Sequence, residues 1–142
     1  MKISEHFDLR ELVNPQMYNH PAIGNRSADF LNVNTGKTLE DLRADFGPIT
    51  VNDWHIGGNY KNSGLRSPNS SVGAVFSAHK FGTAFDLKFK DHKAEYVYFH
   101  VLNNQEKYPF IRRMENAERT VTWLHIEICT QARKGDIAIF NP

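Results

Sequence analysis

The sequence predicts one α+β domain spanning residues 1–142, with a small antiparallel sheet flanked by helices and long loops. The chain's 142 residues match the size of one ordinary domain, and its 40% hydrophobic and 23% charged residues are typical of a globular protein. Some segments repeat apolar residues at helical spacing, whereas others alternate apolar and polar residues as half-buried strands do. Stretches rich in glycine, asparagine and serine separate these segments.

Four segments are predicted to contain helices or tight turns. Residues 38–46 begin at a threonine suited to an N-cap, and residues 93–102 carry an apolar stripe, so both should be helices. Residues 4–12 predict a shorter turn or helix with Ser4 as its cap. Residues 108–114 predict a further short helix or turn.

Four other segments predict strands, at residues 49–52, 83–89, 120–128 and 136–140. In the second of these, alternation places Asp86 on the less apolar side. In the third, His125 and Glu127 face away from an apolar row formed by Leu124, Ile126 and Ile128. The long loop that begins at Trp54 is dense in glycine and asparagine, and its length favours a functional role.

Charge and hydropathy exclude two classes of partner. The 17 basic and 16 acidic residues give a formal net charge of +1, which is too small to hold nucleic acid phosphates at physiological salt. The sequence contains no apolar run of about 18 residues, so we expect no membrane insertion. Its N-terminus lacks the apolar core of a signal peptide, and we therefore expect synthesis in the cytoplasm.

Three side chains can supply the ligands of a catalytic zinc ion, which takes imidazole and carboxylate ligands and keeps one open position. Asp86 and His125 lie on the polar sides of two predicted strands. Because adjacent strands lie about 5 Å apart, paired residues on one face can share a metal ion. His79 precedes the first of these strands, and Gly82 between them permits the sharp bend that the site requires.

Several motifs occur in order along the chain. They comprise the run Arg66-Ser67-Pro68-Asn69, then V-G-A at residues 72–74, S-x-H-x-x-G-x-A-x-D at residues 77–86, and W-x-H-x-E at residues 123–127. Together they closely resemble the zinc D-Ala-D-Ala carboxypeptidases, a family of LAS-type peptidoglycan peptidases. The resemblance spans most of the chain, and its N-terminal part is similar to that of the small phage-type members.

The resemblance implies a set of roles. It implies one Zn²⁺ ion bound by His79, Asp86 and His125, and it places the substrate-binding arginine at Arg66, which is also expected to offset negative charge during catalysis. Ser77 matches a serine that lines the same pocket. A sugar-peptide polymer also suits aromatic walls, for which Trp54, Tyr60 and Trp123 are candidates.

The general base departs from the family pattern. Many members place an acidic residue three positions before the last histidine, where this chain has Thr122. Glu127 projects to the same face as His125, so we predict that Glu127 takes the proton of the attacking water. The alternatives are that Glu127 only contacts a metal ligand, or that it is a surface charge.

The resemblance implies a peptidase that hydrolyses the stem peptides of bacterial peptidoglycan, as an endolysin or as a wall hydrolase that contacts other virion proteins. Such a protein would act on the wall after release from the cell or as part of a virion. Two alternatives remain open from the sequence. One is a catalytically inactive zinc-binding structural or wall-binding module of the same fold, which Thr122 favours. The other is a cytoplasmic peptidase for D-amino-acid dipeptides.

Overall fold

The computed structural model describes residues 1–142. Short 3₁₀ helices occur at Gly24–Phe30, Trp54–Ile56, Ala78–Phe81 and Gln105–Lys107. The α-helices and strands follow one another along the chain as α1 (Leu9–Leu12), α2 (Pro15–Tyr18), α3 (Thr35–Phe46), β1 (Ile49–Thr50), β2 (Ala84–Phe89), α4 (Ala94–Asn103), β3 (Ile111–Glu115), β4 (Leu124–Ile128) and β5 (Ala138–Phe140).

The five strands form one sheet in the order β1-β2-β4-β3-β5, which confirms the predicted single α+β domain. All neighbouring strands are antiparallel except β3 and β5, which are parallel, so the predicted antiparallel sheet is a mixed one at this edge. The chain between β4 and β5 passes across to the far side of β3. The Arg133 guanidinium holds this connection by donating hydrogen bonds to the carbonyl oxygens of Gln105, Tyr108 and Ile111.

The core lies on one face of the sheet. Leu124, Ile126 and Ile128 of β4 are almost fully buried there, as the alternation of residues 120–128 predicts. Helices α3 and α4 supply further side chains to the same cluster, including Leu42 and Val97. The residues of β2 and β4 that alternate with these core residues point to the opposite face, where the candidate site is found.

The predicted short helix or turn at residues 108–114 was wrong, because most of this segment is strand β3. Ile111 and Met114 are both fully buried and three residues apart, a spacing that matches a helix. A register shift between Ile111 and Arg113 reconciles this spacing with a strand. This β-bulge adds Arg112 opposite a single partner and so returns Met114 to the core face.

Two predicted caps were also wrong. Asp8, rather than Ser4, caps α1 and forms a capping box with Glu11, whereas the Ser4 hydroxyl donates to Glu40. Helix α3 begins three residues before the predicted Thr38, with Asn34 at its N-cap position. None of the helices combines the length and the apolar character needed to cross a membrane.

Candidate metal centre

Asp86 and His125 are brought together by the pairing of β2 with β4, in which they are direct cross-strand partners. Cross-strand partners project from the same face of a sheet, so the carboxylate and the imidazole lie side by side. His79 approaches the same point from the 3₁₀ helix Ala78–Phe81, which immediately precedes β2. The structure therefore brings together all three residues that the sequence predicted.

Gly82 produces the bend between His79 and β2. Its φ of +67° lies in the left-handed region, which side chains with a Cβ rarely adopt. A Cβ atom at this position would lie 1.8 Å from the carbonyl oxygen of Phe30. Backbone conformation and close packing both require glycine here, as the sequence predicted.

The geometry of the three side chains suits a metal ion. The Asp86 carboxylate lies 2.8 Å from Nδ1 of His125 through Oδ1 and 3.4 Å from Nε2 of His79 through Oδ2. One ligand atom from each residue lies within 4.8 Å of the others, so the group can hold a metal ion. Two nitrogen donors and one carboxylate fit a divalent transition metal better than calcium or magnesium, which prefer oxygen ligands.

Hydrogen bonding fixes the orientation of His79. Its Nδ1 lies 2.9 Å from the carbonyl oxygen of Gly64, which can only accept, so Nδ1 carries the proton. The other ring nitrogen, Nε2, therefore presents its lone pair towards Asp86. His79 is also buried, with 3% of its surface exposed, which limits rotation of the ring away from the site.

The site is strongly charged despite its burial. Burial opposes ionisation of Asp86, but hydrogen bonds with His125 and His79 hold the pKa of this carboxyl well below its usual range. Burial likewise opposes protonation of His125, yet interactions with Asp86 and Glu127 raise the pKa of this imidazole to about 9. A metal cation that replaced the proton of His125 would balance the negative charge of the Asp86 carboxylate in the same way.

Arg66 lies beside the three side chains. It is buried, and its Nη2 lies 3.6 Å from Oδ2 of Asp86. The guanidinium is anchored from behind, since Nε donates to the carbonyl oxygen of Asn62 at 2.7 Å and Nη1 to that of Val72 at 3.4 Å. Gly73 makes room for this arginine, because a Cβ there would lie 2.7 Å from Nη1.

The three candidate metal ligands lie in a cleft of about 730 Å³ that Arg66 and Ser77 also line. A second cavity of about 300 Å³ shares Arg66, Asp86 and Trp123 with the cleft and extends to Tyr60. Trp123 therefore lines both the cleft and the second cavity, and Tyr60 lines the second cavity, as predicted for these two aromatic residues. Trp54 does not line either cavity and instead packs against Tyr18 and donates to the carbonyl oxygen of Val13.

Glu127 is buried in the cleft wall and is held by three partners. Its Oε2 accepts a hydrogen bond of 3.0 Å from Arg112 and lies 3.6 Å from Nε of Arg113. Its Oε1 lies 3.7 Å from Nε2 of His125, a buried nitrogen that has no hydrogen-bond partner. Hydrogen bonds and charges from these neighbours outweigh the effect of burial and lower the pKa of Glu127.

Three charged residues of the cleft, Arg112, Arg113 and Glu115, are not predicted from the sequence. All three belong to β3, which the helical spacing of its core residues concealed. Burial raises the pKa of Glu115, which lies half-buried near His125. Thr122 is exposed and lines a different cavity together with Lys93. It occupies the position at which many members of the family that this chain resembles carry the general base.

No protein-family model, curated protein or solved structure matches the chain.

Proposed function

We propose that this protein is a zinc-dependent peptidase that hydrolyses peptide bonds in the stem peptides of bacterial peptidoglycan. The observation that carries the proposal is the convergence of His79, Asp86 and His125 within 4.8 Å in the wall of a cleft. Two imidazoles and one carboxylate are a ligand set of catalytic zinc sites, which leave a position open for water or substrate.

The proposed reaction uses the bound zinc ion, Arg66 and a carboxylate in the cleft. Zinc bound there would act as a Lewis acid, which polarises the carbonyl group of the peptide and lowers the pKa of the attacking water. The anchored Arg66 guanidinium offers its remaining donors to a peptide carbonyl or carboxylate and offsets developing negative charge. A carboxylate in the cleft accepts the proton of the attacking water and returns it to the leaving amine.

The choice of substrate is supported by the motifs that resemble peptidoglycan peptidases and by the lining of the cleft. Trp123 and Phe81 provide apolar surface, whereas Arg66 and Arg113 provide positive charge. A peptide that carries carboxylates matches this combination of surfaces. By analogy with the small phage-type members, we place the protein among endolysins or virion-associated wall hydrolases.

A second candidate function is a catalytically inactive zinc-binding module, which Thr122 favours. This residue occupies the position where many peptidases of the resembling family carry their base, and its side chain lies outside the metal-binding cleft. A module that binds wall peptides without cutting them would keep the ligands and the arginine. It would need no proton acceptor.

Mass spectrometry of muropeptides separates these functions. Purified peptidoglycan is incubated with zinc-loaded protein, with His79→Gln, and with His20→Gln as a matched control at an exposed histidine. The proposal predicts new muropeptide masses from the parent and the control but none from His79→Gln. The same spectra identify the bond that is cut.

Full zinc occupancy in the parent without any new masses would instead establish the inactive module. Cleavage of free D-amino-acid dipeptides, with the intact wall left uncut, would establish the cytoplasmic peptidase.

A further inference from the structure

We infer that Glu115, rather than Glu127, accepts the proton of the attacking water in the reaction proposed above. The inference deepens that proposed function and depends on it. Its basis is the placement of the two carboxylates relative to His125 and the number of groups that each already contacts.

Glu115 lies in line with the metal ligands across the sheet. Strands β3 and β4 pair Arg113 with Glu127 and Met114 with Ile126, where their pairing ends, and one further step in the same register would bring Glu115 level with His125. On its other side, His125 pairs with Asp86. Partners across a sheet share a face, so the three side chains form one row along the cleft.

Glu127 is already engaged on both oxygens. The bulge at Arg112 sets two consecutive arginines against it, and both approach its Oε2 within 3.6 Å. Its Oε1 lies 3.7 Å from Nε2 of His125, within ion-pair distance. To take a proton from water, Glu127 would have to give up part of this network. Its position instead suits a residue that orients His125.

Glu115 has no such engagement, since its side chain forms neither an ion pair nor a hydrogen bond. It belongs to the lining of the cleft and is half-buried. In the parallel register of β3 and β5 it is paired with Phe140, whose ring packs edge-on against that of His125 at a centroid distance of 5.6 Å. The strand pairing therefore places Glu115 beside Phe140 in the wall of the same cleft that His125 lines.

The step balances without any further reactant. The water oxygen forms a bond to the carbonyl carbon of the peptide, and the Glu115 carboxylate takes one proton from that water. The C–N bond of the peptide then breaks, and Glu115 returns the proton to the leaving nitrogen. The second proton of the water stays on the new carboxyl group, so the products are a carboxylic acid and an amine, which ionise in water, and Glu115 regains its original state.

Three glutamine variants test the inference: Glu115→Gln, Glu127→Gln, and Glu118→Gln as a control at an exposed glutamate near the same strand. Zinc affinity is measured by chelator competition, muropeptide binding by calorimetry, and hydrolysis by release of new amines. We expect Glu115→Gln to bind zinc and muropeptide as the parent does, while hydrolysis falls by about 100-fold or more. We expect Glu127→Gln to lose about tenfold in zinc affinity and to recover hydrolysis at saturating zinc.

Rescue provides an independent test should Glu115→Gln fold poorly. Glu115→Ala should regain hydrolysis in added formate, a response that a purely structural role would not give. Hydrolysis by Glu115→Gln within threefold of the parent would overturn the inference, as would loss of hydrolysis in zinc-saturated Glu127→Gln. A zinc-loaded parent that cleaves no wall peptide would overturn the proposed function itself, so the two failures are distinguishable.

Discussion

Asp86 links the two imidazoles of the candidate metal centre. One of its oxygens contacts His125 and the other faces His79, so a single carboxylate orders both rings before any metal binds. The Gly64 carbonyl fixes the tautomer of His79, while Glu127 lies next to the far nitrogen of His125. Contacts of this kind orient metal ligands and increase their basicity.

At the residue scale, zinc affinity should depend on pH through His125. Its pKa of about 9 reflects burial, which lowers it, and the stronger opposing influence of Asp86 and Glu127. Zinc requires the neutral imidazole, so binding below this pKa must displace a proton. Apparent affinity should therefore rise about tenfold per pH unit between pH 7 and pH 8.5 and level off above pH 9.

Chelator competition at fixed ionic strength measures this slope. Calorimetry in two buffers of different ionisation enthalpy counts the released proton directly. An affinity that is flat from pH 7 to pH 8.5, with no proton released, would show that His125 is not protonated before zinc binds.

At the element scale, two local departures from regular geometry build the site. The left-handed Gly82 turns the chain so that His79 comes back over β2, and the bulge in β3 sets Arg112 and Arg113 against Glu127. Bulges near functional sites commonly change the direction of a side chain in this way. Without the bulge, one of the two arginines would project to the opposite face.

Gly82→Ala should destabilise the fold more than the same substitution at Gly57. Both glycines have positive φ, +67° and +90°, so alanine is strained at either position. A Cβ at Gly82 would also lie 1.8 Å from the Phe30 carbonyl oxygen, whereas nothing lies within 4 Å of a Cβ at Gly57. We expect a loss of about 1 kcal/mol for Gly57→Ala and of more than about 3 kcal/mol for Gly82→Ala.

Urea denaturation of the parent and both variants measures these free energies of unfolding. Equal losses at the two positions would mean that the close approach to Phe30 does not constrain the turn. Glycine would then be required there only for its backbone conformation.

At the scale of the whole molecule, the hydrophobic core and the candidate site lie on opposite faces of the sheet. One face packs against α3 and α4 in the hydrophobic core, while the other carries the candidate metal ligands and the cleft. Much of this division could be predicted, because strict alternation in β2 and β4 assigns Leu124 and Ile126 to one face and His125 to the other. The candidate metal ligands were predicted from the motifs that resemble the zinc peptidases, with support from the expected pairing of two strands.

The contribution of β3 to the site could not be predicted in the same way. Because of the bulge, the buried residues of β3 are spaced three apart, as in a helix. The sequence therefore shows no alternation of apolar and polar residues that would place Glu115 near His125. The parallel pairing of β5 depends on long-range contacts of Arg133 with Tyr108 and Ile111, which local pattern does not encode. Both features arise from tertiary packing rather than from local propensity.

The central claim is that one zinc ion is bound jointly by His79, Asp86 and His125, and zinc titration of the chelator-treated protein tests it most directly. Calorimetry should give one zinc per chain for the parent and for Asp29→Asn, a control at an exposed aspartate. Asp86→Asn should bind zinc far more weakly, although its side chain has nearly the same shape. Failure of the parent to bind zinc, or undiminished binding by Asp86→Asn, would contradict the account.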